Sequence, residues 1–273
     1  TGGLLARVLQ HEIDHLNGIV FIDHLEEYQR KELRPELKKI KKMRKRENLS
    51  IRDISIQKDF CRNACGSVLF SMGNTKVICA VNYSSDVPEH AKNEDKGWLT
   101  AEYTMLPYST ISRKKREFNK RDGRSIEIQR LIGRSLRAAI DLSMIAGYSF
   151  YVDCDVLQAD GGTRTASITG GYIALKLALN RKLSEGLIIV NPLVTNVAAV
   201  SVGLINGEIY LDLDYEKDSR ADVDMNIVMN GKSEFIEIQG TGEHGSFSYD
   251  QLNEMLDAAR KGILELIDIQ NQF

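Results

Sequence analysis

The period of polar and apolar positions changes several times along the chain, and each change marks an element. Residues 66–72 and 75–83 are apolar-rich runs of strand length on either side of Gly73-Asn74. The same arrangement returns at 197–204 and 208–213 around Asn206-Gly207, and at 226–229 and 234–239 around Asn230-Gly231. Short β-rich runs separated by a glycine turn predict hairpins. Elsewhere helical spacing replaces alternation. Between Ser125 and Ala146 the residues Ile128, Leu131, Ile132, Leu136 and Ile140 supply one apolar side, and Gly147 closes the pattern. Residues 249–269 predict a last amphipathic helix. Hairpins mixed with crossover helices indicate an α+β fold.

The most informative stretch is 150–177, which goes from strand to turn to helix. Residues 150–157 are aromatic and β-branched, Gly161 and Gly162 break the run, and 165–179 has the Ala, Ile and Leu content of a buried helix. This order places the free amides of a glycine turn beside a helix N-terminus, where unpaired N–H groups and the dipole favour an anion. Thr163 and Arg164 stand at that point and add a hydroxyl and a guanidinium fork suited to phosphate. A glycine pair between strand and helix is usually only a turn, so a second feature is needed.

Charge supplies it. The whole chain has 36 basic and 38 acidic residues for a net charge of −2, yet from Arg113 to Arg137 there are 10 basic residues against 3 acidic ones. Arg113, Lys114, Lys115 and Arg116 fall in a loop-like segment together with Arg124. Within the helical pattern Arg130, Arg134 and Arg137 lie at i, i+4 and i+7 on one face. A charged loop is most often solvated surface. Three arginines in a stripe without interleaved Glu fit a polyanion better.

These residues also match a known family. RSIEIQRLIGRSLRAAIDL followed by DCDVLQADGGTRTASITGG closely resembles the ribonuclease PH family of phosphorolytic exoribonucleases that trim tRNA 3′ ends. GSVLFSMGNTKVICA, GWLTAEYTMLP, VAAVSVGLINGEIYLDLDYEKDSRADVDMNIVM and EIQGTGE are similar to the family in order and spacing. The resemblance runs from about Met43 to the end of the chain. It implies a two-part core related to the second domain of ribosomal protein S5, with a first half over about 50–180 and a second over about 195–262. It further implies a homo-hexamer, built as a trimer of dimers, in the bacterial cytoplasm, acting on tRNA precursors and other RNA 3′ ends rather than on DNA or a membrane.

The family's site residues carry over position by position. Arg124 fits the phosphate arginine before the EIQRL segment, and Gly162, Thr163 and Arg164 fit its Gly-Thr-Arg. Arg113 and Arg116 fit RNA-holding arginines of the family, and with Arg130 and Arg134 from the helix stripe they are the expected RNA contacts. Inorganic phosphate is the implied co-substrate. From Ile205 onward there are 15 acidic residues against 5 basic ones. Of these, Asp218 and Asp224 match the family's two aspartates and are the expected catalytic pair, holding Mg2+ to serve the departing 3′ oxygen; Asp222 and Asp214 are the fallback. Tyr108 departs from the family pattern, which commonly has Arg after Leu-Pro.

Residues 1–42 belong to something else. His11 and His15 are one helical turn apart with Glu12 beside the first, an HExxH arrangement that offers two imidazoles to a metal and a carboxylate to its water. With Gln10, Leu16 and Gly18 this resembles the third motif of peptide deformylase. The Glu-Gly-Cys-Leu segment that supplies the family's third ligand is not in the chain, and two histidines hold a metal loosely. Residues 1–42 are therefore expected to be a vestigial deformylase helix and basic tail, and Met43 the start of the ribonuclease part. The four cysteines, Cys61, Cys65, Cys79 and Cys154, have no CxxC spacing and are expected to be reduced core residues.

Two other classes of function compete with the phosphorolytic enzyme. One is an exosome-type ring subunit that binds RNA without chemistry, against which Arg124, Arg164, Asp218 and Asp224 argue. The other is a metallohydrolase built on His11, Glu12 and His15, which lacks a third ligand.

Overall fold

The structure is a computed structural model and describes residues 48–116 and 122–273. His11, Glu12, His15 and the basic tail lie outside the described residues. Contacts divide the chain between Glu47 and Asn48, and all of the described elements belong to Asn48–Phe273.

Among the described residues nine strands form two sheets, in agreement with the α+β expectation. The first sheet has the order β1-β2-β3-β5-β4, with β1 at Ile54–Lys58, β2 at Gly66–Met72, β3 at Thr75–Ser84, β4 at Trp98–Met105 and β5 at Ser149–Gln158. Neighbours are antiparallel except β4 and β5, which are parallel. The connection between that parallel pair contains helix α2, Gly123–Arg137 (α1 is the short Glu89–Lys92). The second sheet has the order β7-β6-β8-β9 and is antiparallel throughout, with β6 at Val197–Ile205, β7 at Glu208–Leu211, β8 at Val223–Asn230 and β9 at Phe235–Gly242. All three predicted hairpins form.

Helix α3, Thr163–Ser184, joins the two halves, packing on β2 and β3 of one sheet and β6 of the other. Every residue from Thr165 to Leu175 is buried, as expected for a helix covered on more than one side. Its small residues permit close approach. A Cβ at Gly170 would lie 2.8 Å from Phe70 Cβ and 3.0 Å from Cys79 Sγ. Thr169 ties the helix to β6, its hydroxyl accepting from Ala199 N at 3.1 Å. Helix α5, Tyr249–Gln270, starts on a capping box made by Ser248 and Gln251 and packs on β6, β7 and β8; α4 is the single turn Tyr215–Asp218.

One predicted helix is shorter than its apolar pattern. The 125–146 pattern yields α2 only to Arg137, followed by a 3-10 turn at Leu142–Ile145. The reason is competition from extended pairing. Asp141 N donates to Pro192 O at 2.8 Å, Val194 N donates to Ala139 O at 2.9 Å, and Ile140 bridges Leu193. Asp141 then caps the 3-10 turn, accepting from Ser143 N at 3.0 Å. The cysteine expectation needs a similar correction. Cys79 and Cys154 are buried, but Cys61 and Cys65 lie at the boundary; all four are free thiols. Among the described residues no helix is long and apolar enough to cross a membrane.

Candidate active site

The glycine turn closes on α3 as its sequence predicts, and both glycines are required by their backbone. Gly161 has φ +74° and Gly162, the residue capping α3, has φ +63°. A Cβ on Gly161 would stand 2.4 Å from Leu213 O, so side-chain space is missing as well as a permitted conformation. Behind the turn lies a buried ion pair that nothing in the local sequence announced. Arg52 and Asp212 are 8% and 0% exposed and meet through three hydrogen bonds, Nη2 to Oδ1 at 2.7 Å, Nε to Oδ2 at 2.9 Å and the Arg52 backbone N to Oδ2 at 2.8 Å. Arg52 Nη1 also donates to Asp160 O at 2.6 Å, and Thr75 Oγ1 donates to Gly161 O at 2.6 Å. These bonds occupy the turn's carbonyls from behind, which leaves the amides at the N-terminus of α3 as its polar groups without a partner among the described residues.

The residues around this helix start were expected from sequence only in part. Thr163 Oγ1 lies 2.9 Å from the hydroxyl of Tyr103, a buried β4 residue whose phenol is pushed up by burial and so stays neutral. Arg164, the next residue, bonds through Nη1 to Gln239 Oε1 on β9 at 2.9 Å and Glu127 Oε1 on α2 at 3.3 Å. Arg124 sits in the first turn of α2, where Asp122 caps the helix by accepting from its backbone N–H at 3.4 Å.

Asp218 and Asp224 come from separate elements, the end of α4 and the second position of β8. They nevertheless sense each other and both arginines. Burial raises the Asp218 carboxyl above its ordinary range, while Arg124, Arg164 and Arg52 pull it back down. Asp224 is pushed up to about 6, first by burial and then by the charge of Asp218, with Arg164 and Arg124 opposing. Glu243 adds a third negative charge within range of both. Arg124, Arg164, Asp218 and Asp224 thus share one electrostatic neighbourhood although the chain separates them by 100 positions (124 to 224).

Asp224 offers the test of whether a divalent cation fits. Its Oδ1 is buried and has no hydrogen-bond partner among the described residues. An orphaned carboxylate oxygen beside a second, repelling carboxylate is a favourable place for a hard cation. The described residues contain no group of three or more His, Cys, Asp or Glu able to hold a metal. Two carboxylates suffice for Mg2+, which keeps several waters or takes substrate oxygens. The alternatives have other tasks. Asp214 caps α4 and pairs with Lys217, and Asp222 accepts from Asn206 N at 2.8 Å.

The expected RNA contacts lie further out. Arg113 and Arg116 are exposed on the loop after β4, which is fastened beside the glycine turn where Ala159 N donates to Ser109 O at 2.8 Å. Tyr108, on the same loop, is 67% exposed. Arg130, Arg134 and Arg137 line a cavity of about 160 Å3 with Thr100 and Gln129. The stripe is less free than its sequence implied, because its acidic partner comes from another element. Arg134 makes a two-pronged pair with Glu237 of β9, at 2.6 and 2.7 Å, and Arg137 donates to Leu99 O at 3.0 Å with its guanidinium 5.0 Å from the Trp98 ring centre. Arg130 is exposed.

Known proteins resemble this chain over the same region. Residues 50–179 match the family model described as 3′ exoribonuclease family, domain 1, and residues 195–262 match domain 2 of that family. Residues 1–31 match the model for polypeptide deformylase. A ribonuclease PH from Crocosphaera subtropica is 53% identical over 81% of this chain and 92% of its own length. One from Corynebacterium kroppenstedtii is 55% identical over 81% of this chain and 88% of its own. Among solved structures, a chain of the Archaeoglobus fulgidus exosome with RNA bound to the active site shares the fold at a TM-score of 0.69 and 21% identity, over 85% of this chain and 94% of that one. With over half of the aligned positions identical across nearly the full length of such relatives, the chain belongs to the ribonuclease PH family.

Proposed function

We propose that the protein is a phosphorolytic 3′-to-5′ exoribonuclease that trims tRNA 3′ ends with inorganic phosphate and releases nucleoside diphosphates. The observation that carries this is one site with two opposite characters. A helix N-terminus flanked by Arg124 and Arg164 favours an anion, and the Asp218–Asp224 pair within the field of those arginines favours a cation. Hydrolysis would need no resident anion; phosphorolysis does.

In this mechanism Gly162 and Thr163 present backbone amides, and Arg124 and Arg164 present guanidinium groups, to inorganic phosphate. They orient one of its oxygens toward the terminal phosphodiester and offset the charge brought in. The Tyr103 phenol, neutral through burial, fixes the Thr163 hydroxyl. Asp218 and Asp224 would hold Mg2+, which when bound neutralises charge developing on the departing 3′ oxygen. Arg113, Arg116, Arg130 and Arg134 serve the RNA backbone, with Tyr108 placed to stack on a base. Assembly as a hexameric trimer of dimers and action in the bacterial cytoplasm complete the proposal. Residues 43–273 are its ribonuclease part, and residues 1–42 a deformylase-like segment that takes no part in this reaction.

Incubating the protein with a tRNA precursor, with and without phosphate, tests the reaction. Nucleoside diphosphates that appear only with phosphate, and regrowth of the RNA end from added nucleoside diphosphates, are expected. Nucleoside monophosphates formed in phosphate-free buffer would overturn it, and RNA binding without turnover would favour the ring-subunit alternative.

A further inference from the structure

Among the described residues, Arg164 is held by one nitrogen only. Its Nη1 donates to Gln239 Oε1 and Glu127 Oε1, while among the described residues neither Nε nor Nη2 has a partner. The Gln239 amide has a fixed sense. Its Nε2 donates to Glu127 Oε1 at 3.2 Å and to Glu237 Oε1 at 3.0 Å, so its carbonyl is the end left for Arg164. Glu237 is in turn immobilised by the two-pronged bond from Arg134. The register explains how these groups meet. Gln239 pairs directly with Asn226, two residues along β8 from Asp224, so Glu237, Gln239 and Asp224 share one face of the second sheet. Glu127 and Arg134 are seven residues apart on α2 and so share a helix face.

We propose that Gln239 and Glu127 are positioning residues that pre-set the Arg164 guanidinium for phosphate, an inference that rests on Arg164 being a phosphate ligand. Gripping Nη1 leaves the Nε–Nη2 edge, the pair of parallel donors that matches two oxygens of a phosphate. A long arginine side chain that is already ordered loses less rotamer freedom when the anion arrives. The grip also joins the halves of the fold at the site, because Glu127 comes from the first half and Gln239 from the second.

Phosphorolysis of a single-stranded oligoribonucleotide, with phosphate and RNA varied separately, tests this. Gln239→Ala should raise the phosphate KM by about five- to tenfold, the effect of losing one hydrogen bond to a charged group's anchor, with the RNA KM unchanged. Glu127→Gln keeps an acceptor oxygen and should stay near the parent, whereas Glu127→Ala should follow Gln239→Ala. Glu127 is 45% exposed, so its variants remain informative even if Gln239→Ala folds poorly. An unchanged phosphate KM in Gln239→Ala and Glu127→Ala, or a parallel rise in the RNA KM, would overturn the inference. Arg164→Ala separates the two levels. If it raises the phosphate KM and the other two do not, positioning alone fails; if it too leaves phosphate affinity intact, the phosphate site is elsewhere.

Discussion

Asp224 shows how a single residue can be kept at a stability cost. Its folded carboxyl is pushed up to about 6 from an ordinary value of 3.8, because burial and Asp218 both oppose its charge. The sign comes from proton counting. Between those two values the folded protein holds a proton that the unfolded chain has released, so stability falls as pH rises through the window and the full penalty remains above about pH 6. Replacing Asp224 with Asn removes the penalty. In chelator at pH 7.5 the variant should unfold at a higher temperature than the parent, by the equivalent of about 1–3 kcal/mol, discounted toward the lower end because the carboxylate keeps some water contact. Near pH 4 the difference should vanish. Mg2+ should restore the parent's melting temperature and leave Asp224→Asn unmoved, while turnover is lost in the variant at every pH. A variant no more stable than the parent in chelator would mean that the carboxylate is not penalised as described. Asp224 was legible in the sequence only through the family pattern, since fifteen acidic residues follow Ile205 and nothing local distinguishes the two that share a site.

At the scale of elements, sequence and structure agree where the signal is local and part where it is not. The hairpin turns, the glycine break before α3 and the buried character of α3 are all consequences of residues a few positions apart. The end of α2 at Arg137, the Glu237 partner of Arg134 and the Arg52–Asp212 pair depend on segments more than 50 positions away, and no periodicity encodes them. That last pair gives a prediction with two arms. Arg52→Ala would leave the fully buried Asp212 carboxylate without its guanidinium, and the cost of uncovering one member of a buried pair is about 3–5 kcal/mol. Urea denaturation should show the midpoint falling accordingly. Gly161→Ala acts on the same turn by a different route, a strained φ plus a Cβ driven into the Leu213 carbonyl, and should lower phosphate affinity together with stability. Replacing both Arg52 and Asp212 with apolar residues should recover more stability than either single change predicts, because the uncompensated charge is then gone. Equal loss in single and double variants would show that the pair's hydrogen bonds to Asp160 and Gly161, rather than its charges, hold the turn.

At the scale of the whole molecule, the question is where the working enzyme starts. Asn48 O accepts from Leu211 N at 2.7 Å and Asn48 Nδ2 donates to Glu208 Oε2 at 3.3 Å, so the chain is fastened to β7 from this residue on. Four positions later Arg52 enters the ion pair that supports the glycine turn. A chain beginning at Met43 keeps both contacts, whereas one beginning at Asp53 has neither. The first should therefore carry out phosphorolysis of tRNA ends as the full chain does. The second leaves the buried Asp212 carboxylate without its guanidinium, a cost of about 3–5 kcal/mol in a fold whose total stability is expected to be about 5–15 kcal/mol, and should be unfolded or aggregated at 37 °C. The same pair of truncations separates the two resemblances. His11 and His15 supply two of the three protein ligands that a catalytic zinc takes, with Glu12 beside them for its water, so residues 1–273 by themselves should not hydrolyse formyl-methionyl peptides even with added zinc. Measuring phosphorolysis, formyl-peptide hydrolysis and melting temperature for all three chains gives a clear decision. Formyl-peptide hydrolysis present in the full chain and lost from Met43 onward, or phosphorolysis lost by that same truncation, would show that residues 1–42 take part in function.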